Sequence, residues 1–366
     1  MTTDYLAARA FASPHAHGGG EIRRTMLLVL AALTPATLFG FWLYGWSAFF
    51  LWLMTLSSAL FFEFMSLRLM GQKDARRTLG DGSALLTGWL LAMTLPPWAP
   101  WWVAVLGALI AIVIGKQVFG GLGQNLFNPA MVARVALLIS FPLQLTAWVT
   151  PLPLTTLPAP DFIAALHITL GQTPLPDAMT SASLLGYAKT ELARGIGLAQ
   201  ALNAGHAPPL SWLGVRAGSL GESSALLILA GGIFLLIARV IRWQAPAGVL
   251  AGALIPALIA HALAPETYLA ASTHLFSGAL MLGAFFIATD YVTSPITGAG
   301  QLVFGLGVGL LTWIIRTLGG YPEGVAFAIL FMNALTPMID RYLKPRILGR
   351  TWSGRPLGTT TTGKGA

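Results

Sequence analysis

The chain has 366 residues, of which 55% are hydrophobic and 9% charged. A soluble domain carries about 25% charged residues, so a water-soluble globular fold is excluded. The net charge of +8 does not point to nucleic acid, because most Lys and Arg stand in short segments beside apolar runs, where they orient a membrane protein. Cysteine is absent, which removes Cys-ligated iron–sulfur clusters and disulfides. His15, His17, His167, His206, His261 and His274 show no paired ligand spacing, so no metal site of the chain's own is expected.

Residues 1–22 read as a cytoplasmic N-terminal segment without a secretory signal pattern. A helix needs about 20 apolar residues to cross the hydrocarbon core. On that rule, residues 23–149 form a first transmembrane half, with spans near 25–44, 46–69, 83–97, 101–119 and 130–149. The third is short and ends at Pro96-Pro97, as a partial or broken helix would. Residues 150–222 form a polar interval too long for a connector. Residues 223–344 form the second half, with spans near 223–243, 246–264, 275–289, 301–318 and 324–343, and 345–366 read as a flexible cytoplasmic tail. The fold class is therefore an all-α polytopic membrane protein of about ten helices.

Arg23, Arg24, Arg68, Lys73, Arg76, Arg77, Lys116, Arg134, Arg239, Arg242, Arg341, Lys344, Arg346 and Arg350 fall on one side of this topology. Lys189, Arg194 and Arg216 fall on the other, with Arg316 near an outer helix end. The bias places both termini in the cytoplasm and the interval outside it. Five helices per half make the halves opposite in orientation, as in an inverted repeat. A short echo accompanies this, between Asp81–Leu86 at the third span and Glu222–Leu227 at the sixth.

Four segments could carry chemistry. Asp177-Ala178-Met179-Thr180-Ser181-Ala182-Ser183 offers an open hydroxyl at Ser183 behind an acidic residue, although an Asp-capped turn accounts for its composition more simply. Gly218, Ser219, Gly221, Ser223 and Ser224 stand at a helix start and could form a phosphate nest, with a plain N-cap as the alternative. Gly120, Gly121, Asn125 and Asn128 suggest irregular backbone lining a cavity or a partner contact. Thr289-Asp290, ahead of Thr293-Ser294-Pro295, breaks the chain between spans, and Asp290 is a candidate cation or proton site. Glu63, near the inner end of the second span, is expected to snorkel to the interface.

Taken together with Ser13-Pro14-His15, these segments resemble the family of D subunits of Rnf-type electron transport complexes. They are similar, more distantly, to the B subunits of the sodium-translocating NADH:quinone oxidoreductases. The resemblance runs from about Ser13 to Arg346. It implies a motif read by a flavin transferase, which joins FMN through its phosphate to the hydroxyl of the last residue. Mapped here, Asp177 leads, Thr180 and Ala182 follow, and Ser183 is the acceptor. Ser181 stands where glycine is usual, and Ser183 where threonine is commoner. The resemblance further implies a flavin-containing subunit of a redox-driven ion translocase in the bacterial inner membrane. Its partners would be a second flavin subunit, iron–sulfur subunits and Na⁺ or H⁺. A noncovalent riboflavin is a further expectation by analogy with the distant relative. The alternatives are a cofactor-free transporter or channel with inverted repeats, and a scaffold without a cofactor.

Overall fold

The computed structural model describes residues 19–72, 78–156, 159–172, 180–181, 183–203, 217–321 and 323–344. The first half runs through α1 (Gly19–Tyr44), α2 (Trp46–Leu69) and α3 (Ser83–Thr94). α4 (Trp101–Leu109) continues as a π-helical turn over Ile110–Ile114 and a 3₁₀ turn over Gln117–Phe119. α5 (Pro129–Ser140) and α6 (Pro142–Thr146) follow. The polar interval carries β1 (Trp148–Val149), α7 (Phe162–Thr169), β2 (Thr180–Ser181), α8 (Leu184–Ala193) and α9 (Leu198–Asn203). A 3₁₀ turn over Leu220–Glu222 leads into α10 (Ala225–Ile237) and α11 (Gln244–Leu263). α12 (Ala271–Phe276) precedes α13 (Leu280–Leu282), which merges into a second π-helical turn over Gly283–Ile287. α14 (Gly298–Leu318) and α15 (Val325–Tyr342) close the fold.

Among the described residues, five stretches are long and apolar enough to cross a membrane: Ile22–Tyr44, Trp46–Leu69, Trp101–Phe119, Gln244–Leu263 and Gly298–Leu318. Their outward positions stay apolar, with Leu38, Phe61, Leu258 and Leu310 exposed. In a bilayer such surface faces lipid rather than water. α3, α5 and α10 are shorter. The 12 residues of α3 rise only about 18 Å, well under the ~30 Å of the hydrocarbon core. In the stretch that follows, Trp98 Nε1 donates to the Tyr44 carbonyl at 2.8 Å. The span expected over 130–149 breaks after Ser140, where Pro142 cannot continue the helix. The span over 275–289 is divided at Ser277-Gly278, where Gly278 has φ +69°.

The two halves repeat one order of pairing. α2 packs on α3 and α4, and α11 packs on α12, the second π turn and α14. The Asp81/Glu222 echo does not follow this order. It matches the start of a third element to the start of a first, because both sites are serine-marked helix starts. The halves meet where α1 lies on α10, with Gly231 against the Ala32 carbonyl. The polar interval docks at the end of the bundle that holds Tyr44. Leu152 N and Leu154 N donate to the Leu43 and Trp42 carbonyls at 3.1 and 2.9 Å, β1 pairs antiparallel with β2, and Phe162 packs on Phe50.

The tightest contact joins α11 and α14 through two interlocked Gly-x-x-x-Gly pairs, Gly248/Gly252 and Gly305/Gly309. A Cβ at Gly248 would lie 2.7 Å from the Leu302 carbonyl oxygen, and one at Gly305 would lie 2.5 Å from that of Ala245. Small residues let membrane helices approach to backbone contact, where dispersion replaces the missing hydrophobic drive. Gly252→Leu should force the pair apart at a cost of about 1–3 kcal/mol or more. A thermal melt in detergent reads this as a lower midpoint, while Leu258→Ala on the lipid face should leave the midpoint nearly unchanged.

Candidate functional site

Three polar clusters lie along the bundle. At the end that holds the interval, Ser183 caps α8: its Oγ accepts from Gly186 N at 3.2 Å, and it is half-buried. Thr180 and Ser181 are described as backbone in β2, whereas Asp177 and Ala182 lie outside the described residues. Lys189, further along α8, donates to the carbonyls of Ile315, Arg316, Gly319 and Tyr321 at the C-terminus of α14. Ile315 and Arg316 lie in the last turn of α14, and Gly319 and Tyr321 follow it; a cation is favourable at the carbonyl end of a helix. Partial burial in this carbonyl crown holds the lysine below its usual pKa.

Next to the crown, Arg316 is buried and fully engaged. Its Nη1 donates to the His274 carbonyl at 2.8 Å, and its Nη2 donates to the Ser277 carbonyl and to Glu323 at 3.0 Å. Glu323 also accepts from Ala279 N at 3.1 Å. Arg316 therefore belongs to a buried cluster rather than to an exposed outer helix end.

The segment 217–224 is buried and internally bonded. Ser219 Oγ donates to Glu222 Oε1 at 2.8 Å, Ser223 Oγ donates to the Leu220 carbonyl, and Ser224 Oγ accepts from Leu227 N at 3.3 Å. A Cβ at Gly218 would meet Glu222 Oε2 at 2.9 Å, and one at Gly221 would meet the Met93 carbonyl. In this arrangement Glu222 faces inward, over the backbone expected to cradle a phosphate, and its charge opposes a second anion there. The segment works as a helix cap with a buried carboxylate. Arg134, counted among the inner loop charges, is instead buried within α5, where Glu222 and Glu323 act on it electrostatically and its Nη1 has no hydrogen-bond partner.

The third cluster lines a cleft between the halves, at the opposite end. It joins two segments far apart in sequence. Asn128 Nδ2 donates to Asp290 Oδ2 at 3.4 Å, and Asn128 N donates to Asn333 Oδ1 at 3.1 Å. Asn128 Oδ1 also caps α5 by accepting from Met131 N, with Pro129 at the first helical position. Asp290 accepts from Thr293 Oγ1 at 3.1 Å and Val292 N at 3.3 Å. Asn125 and Thr289 line the cleft beside Phe285 and Phe286. Gly120 and Gly121 do not line it; they form the left-handed turn before it, with φ of +111° and +95°.

A buried pair that sequence reasoning missed reaches the cleft through Lys116. Lys116 Nζ lies 2.8 Å from Glu63 Oε1 and 2.7 Å from Ser83 Oγ, and both charged residues are buried. Glu63 thus does not snorkel, because Lys116 compensates its charge inside the bundle. The available signal was a lysine and a glutamate each set within an apolar run. Both π-helical turns border the cleft: one runs into Gly115 before Lys116, and the other supplies Phe285 and Phe286. Such turns collect at functional sites. No group of three or more His, Cys, Asp or Glu with metal-ligand geometry occurs among the described residues.

A multi-pass membrane protein that pairs two buried cations, Lys116 and Arg316, with carboxylates from other parts of the chain is the class these features define. The chain belongs to the NQR2, RnfD, RnfE family, whose model matches residues 10–349. It is 50% identical over 352 residues to the D subunit of the ion-translocating oxidoreductase complex of Halorhodospira halophila, over 96% of this chain and 98% of that protein. It is 52% identical over 339 residues to the protein of the same name from Stutzerimonas stutzeri, over 92% and 95% of the two chains. For the Rhodobacter capsulatus protein of that name the identity is 49% over 304 residues, or 83% and 84%.

Glu323→Ala would leave the buried Arg316 guanidinium without its carboxylate. Removing one partner of a buried pair costs about 3–5 kcal/mol, so the detergent melting midpoint should fall sharply. The double variant Arg316→Leu/Glu323→Leu should recover a large part of the loss.

Proposed function

We propose that this chain is the membrane subunit of an ion-translocating, ferredoxin- and NAD-linked oxidoreductase complex, and that it carries FMN esterified to Ser183. The observation that carries the flavin reading is the placement of Ser183. Its hydroxyl caps a ten-residue helix that Lys189 fastens to the end of α14. An ester phosphate there meets the unpaired N–H groups and the positive dipole end of the first helical turn. Bound FMN supplies the redox chemistry. The chain supplies the attachment oxygen, the partner charge and a fixed distance from the bundle. Attachment would be the work of a flavin transferase. The absence of cysteine leaves iron–sulfur clusters to partner subunits, along with a second flavin carrier.

The cleft suits a second, noncovalent flavin such as riboflavin. Phe285 and Phe286 offer stacking faces, and Lys116, Asn125 and Asn128 offer donors to a heterocycle edge.

Ten spans in two inverted five-helix halves fit the repeated pairing order. A spacing match supports the repeat: Ala84, Leu85, Gly88 and Thr94 of α3 recur as Ala279, Leu280, Gly283 and Thr289 around α13. Both glycines admit a close neighbour, Ala59 for Gly88 and Val325 for Gly283. With Lys116 and Arg134 removed from the loop charges, Arg23, Arg24, Arg68, Arg239, Arg242, Arg341 and Lys344 still mark the cleft end as cytoplasmic. The interval is then periplasmic in a bacterial inner membrane.

In the complex from its native host, this protein should fluoresce as a denatured gel band, and the Ser183 peptide should carry the FMN mass. Ser183→Ala should abolish both, while Ser183→Thr should retain them. A dark wild-type band from a host that contains the transferase would favour a cofactor-free transporter on the same repeated scaffold.

A further inference from the structure

The Lys116–Glu63 pair is only half satisfied. Glu63 Oε2 is buried without a hydrogen-bond partner, although Oε1 takes the lysine at 2.8 Å. An apolar pair of like volume would serve stability as well or better, and ionisable side chains inside membranes mark function by default. Lys116 faces two ways. It holds Glu63 on α2 and Ser83 on α3, and it lines the cleft. An ammonium has three donors; two are committed here, which leaves one for an occupant of the cleft. Among the described residues that line the cleft, Lys116 is the one cation and Asp290 the one carboxylate. Asp290 is already bonded by Asn128, Thr293 and Val292. Negative charge that enters the cleft therefore has Lys116 as the one cation in its described lining, and Glu63 is the group that loses by it.

We propose that Glu63 is the acceptor for one monovalent cation, H⁺ or Na⁺, and that Lys116 keys its uptake to reduction in the cleft. The inference rests on the reading that a redox ligand of flavin type occupies the cleft. With one electron delivered to that ligand by the partner subunits of the complex, Lys116 would turn its charge toward it, and Glu63 would be left as a buried carboxylate with an open oxygen. Glu63 then takes up one cation. One negative and one positive charge enter together, so the net charge of the buried site is unchanged. On reoxidation, Lys116 returns to Glu63 and displaces the cation. The step links electron arrival to ion uptake through one side chain, without a metal cluster in this chain.

The test uses dicyclohexylcarbodiimide on the intact complex, since this reagent modifies protonated carboxyls in apolar surroundings. The label on the Glu63 peptide is quantified by mass spectrometry in oxidised and dithionite-reduced samples, with and without Na⁺, and noncovalent flavin is extracted in parallel. Wild type should label at least tenfold more when reduced. Suppression of that label by Na⁺ identifies Na⁺ as the ion, and its persistence identifies H⁺. Lys116→Met should label in both redox states, whereas Lys116→Arg should keep the oxidised state dark. Equal labelling of both states of wild type, with noncovalent flavin present in the extract, overturns the inference and leaves the flavin reading intact. An extract without noncovalent flavin overturns the reading of the cleft. In that case, stronger labelling of Lys116→Met than of wild type still supports Glu63 as the acceptor, and equal labelling of the two overturns that as well.

Discussion

A bilayer offers the backbone no hydrogen bonds, so every helix end that stops inside it must be satisfied from within the protein. Much of this structure follows from that constraint. α3, α5 and α10 are too short to cross, so their ends need polar partners. Asp81 accepts from Ser83 N at 2.7 Å, Asn128 caps α5, and Ser224 caps α10. Once polar groups are drawn inside, they need partners of their own. Asn128 then reaches Asn333 and Asp290, and Asn333 Nδ2 reaches the Thr293 carbonyl at 3.1 Å. The cleft network thus begins as helix capping and ends as a junction between the halves.

Buried charge is handled in two ways, and the contrast separates structure from chemistry. Arg316 has its guanidinium spread over Glu323 and two carbonyls, and Glu323 collects backbone donors in turn. Such saturation suits a fixed joint, and it sits beneath the crown where Lys189 fastens the Ser183-bearing helix. Lys116, Glu63 and Arg134 are less complete, each with unused donors or acceptors in buried surroundings. Incomplete pairing in a low-dielectric interior is costly. It persists most readily where an ion or a ligand completes it during function.

Glycine sets the other rigid element. Four backbone-to-backbone approaches lock α11 to α14, so the second half presents α14 as a fixed post. The attachment helix α8 is tied to the end of that post through Lys189. The electron carrier proposed at Ser183 is thereby referenced to the least deformable part of the bundle, although it is carried on a peripheral interval.

Reading residues alone, one could determine the membrane class and the family. Apolar runs of spanning length, one-sided loop charge and ordered motifs are local properties of the chain. The short third span was legible because Pro96-Pro97 ends it within sight of its start. The partners of charges were not legible. Glu63 and Lys116 are 53 positions apart, and Asn128 and Asp290 are 162 apart. Nothing in the pattern of one helix says which face meets which neighbour. Nor could Gly218–Ser224 be told from an anion nest until Glu222 was placed over it. The rotation of each helix in the bundle, set by glycine contacts and capping demands across the whole fold, decided which charges were paired and which faced a cleft.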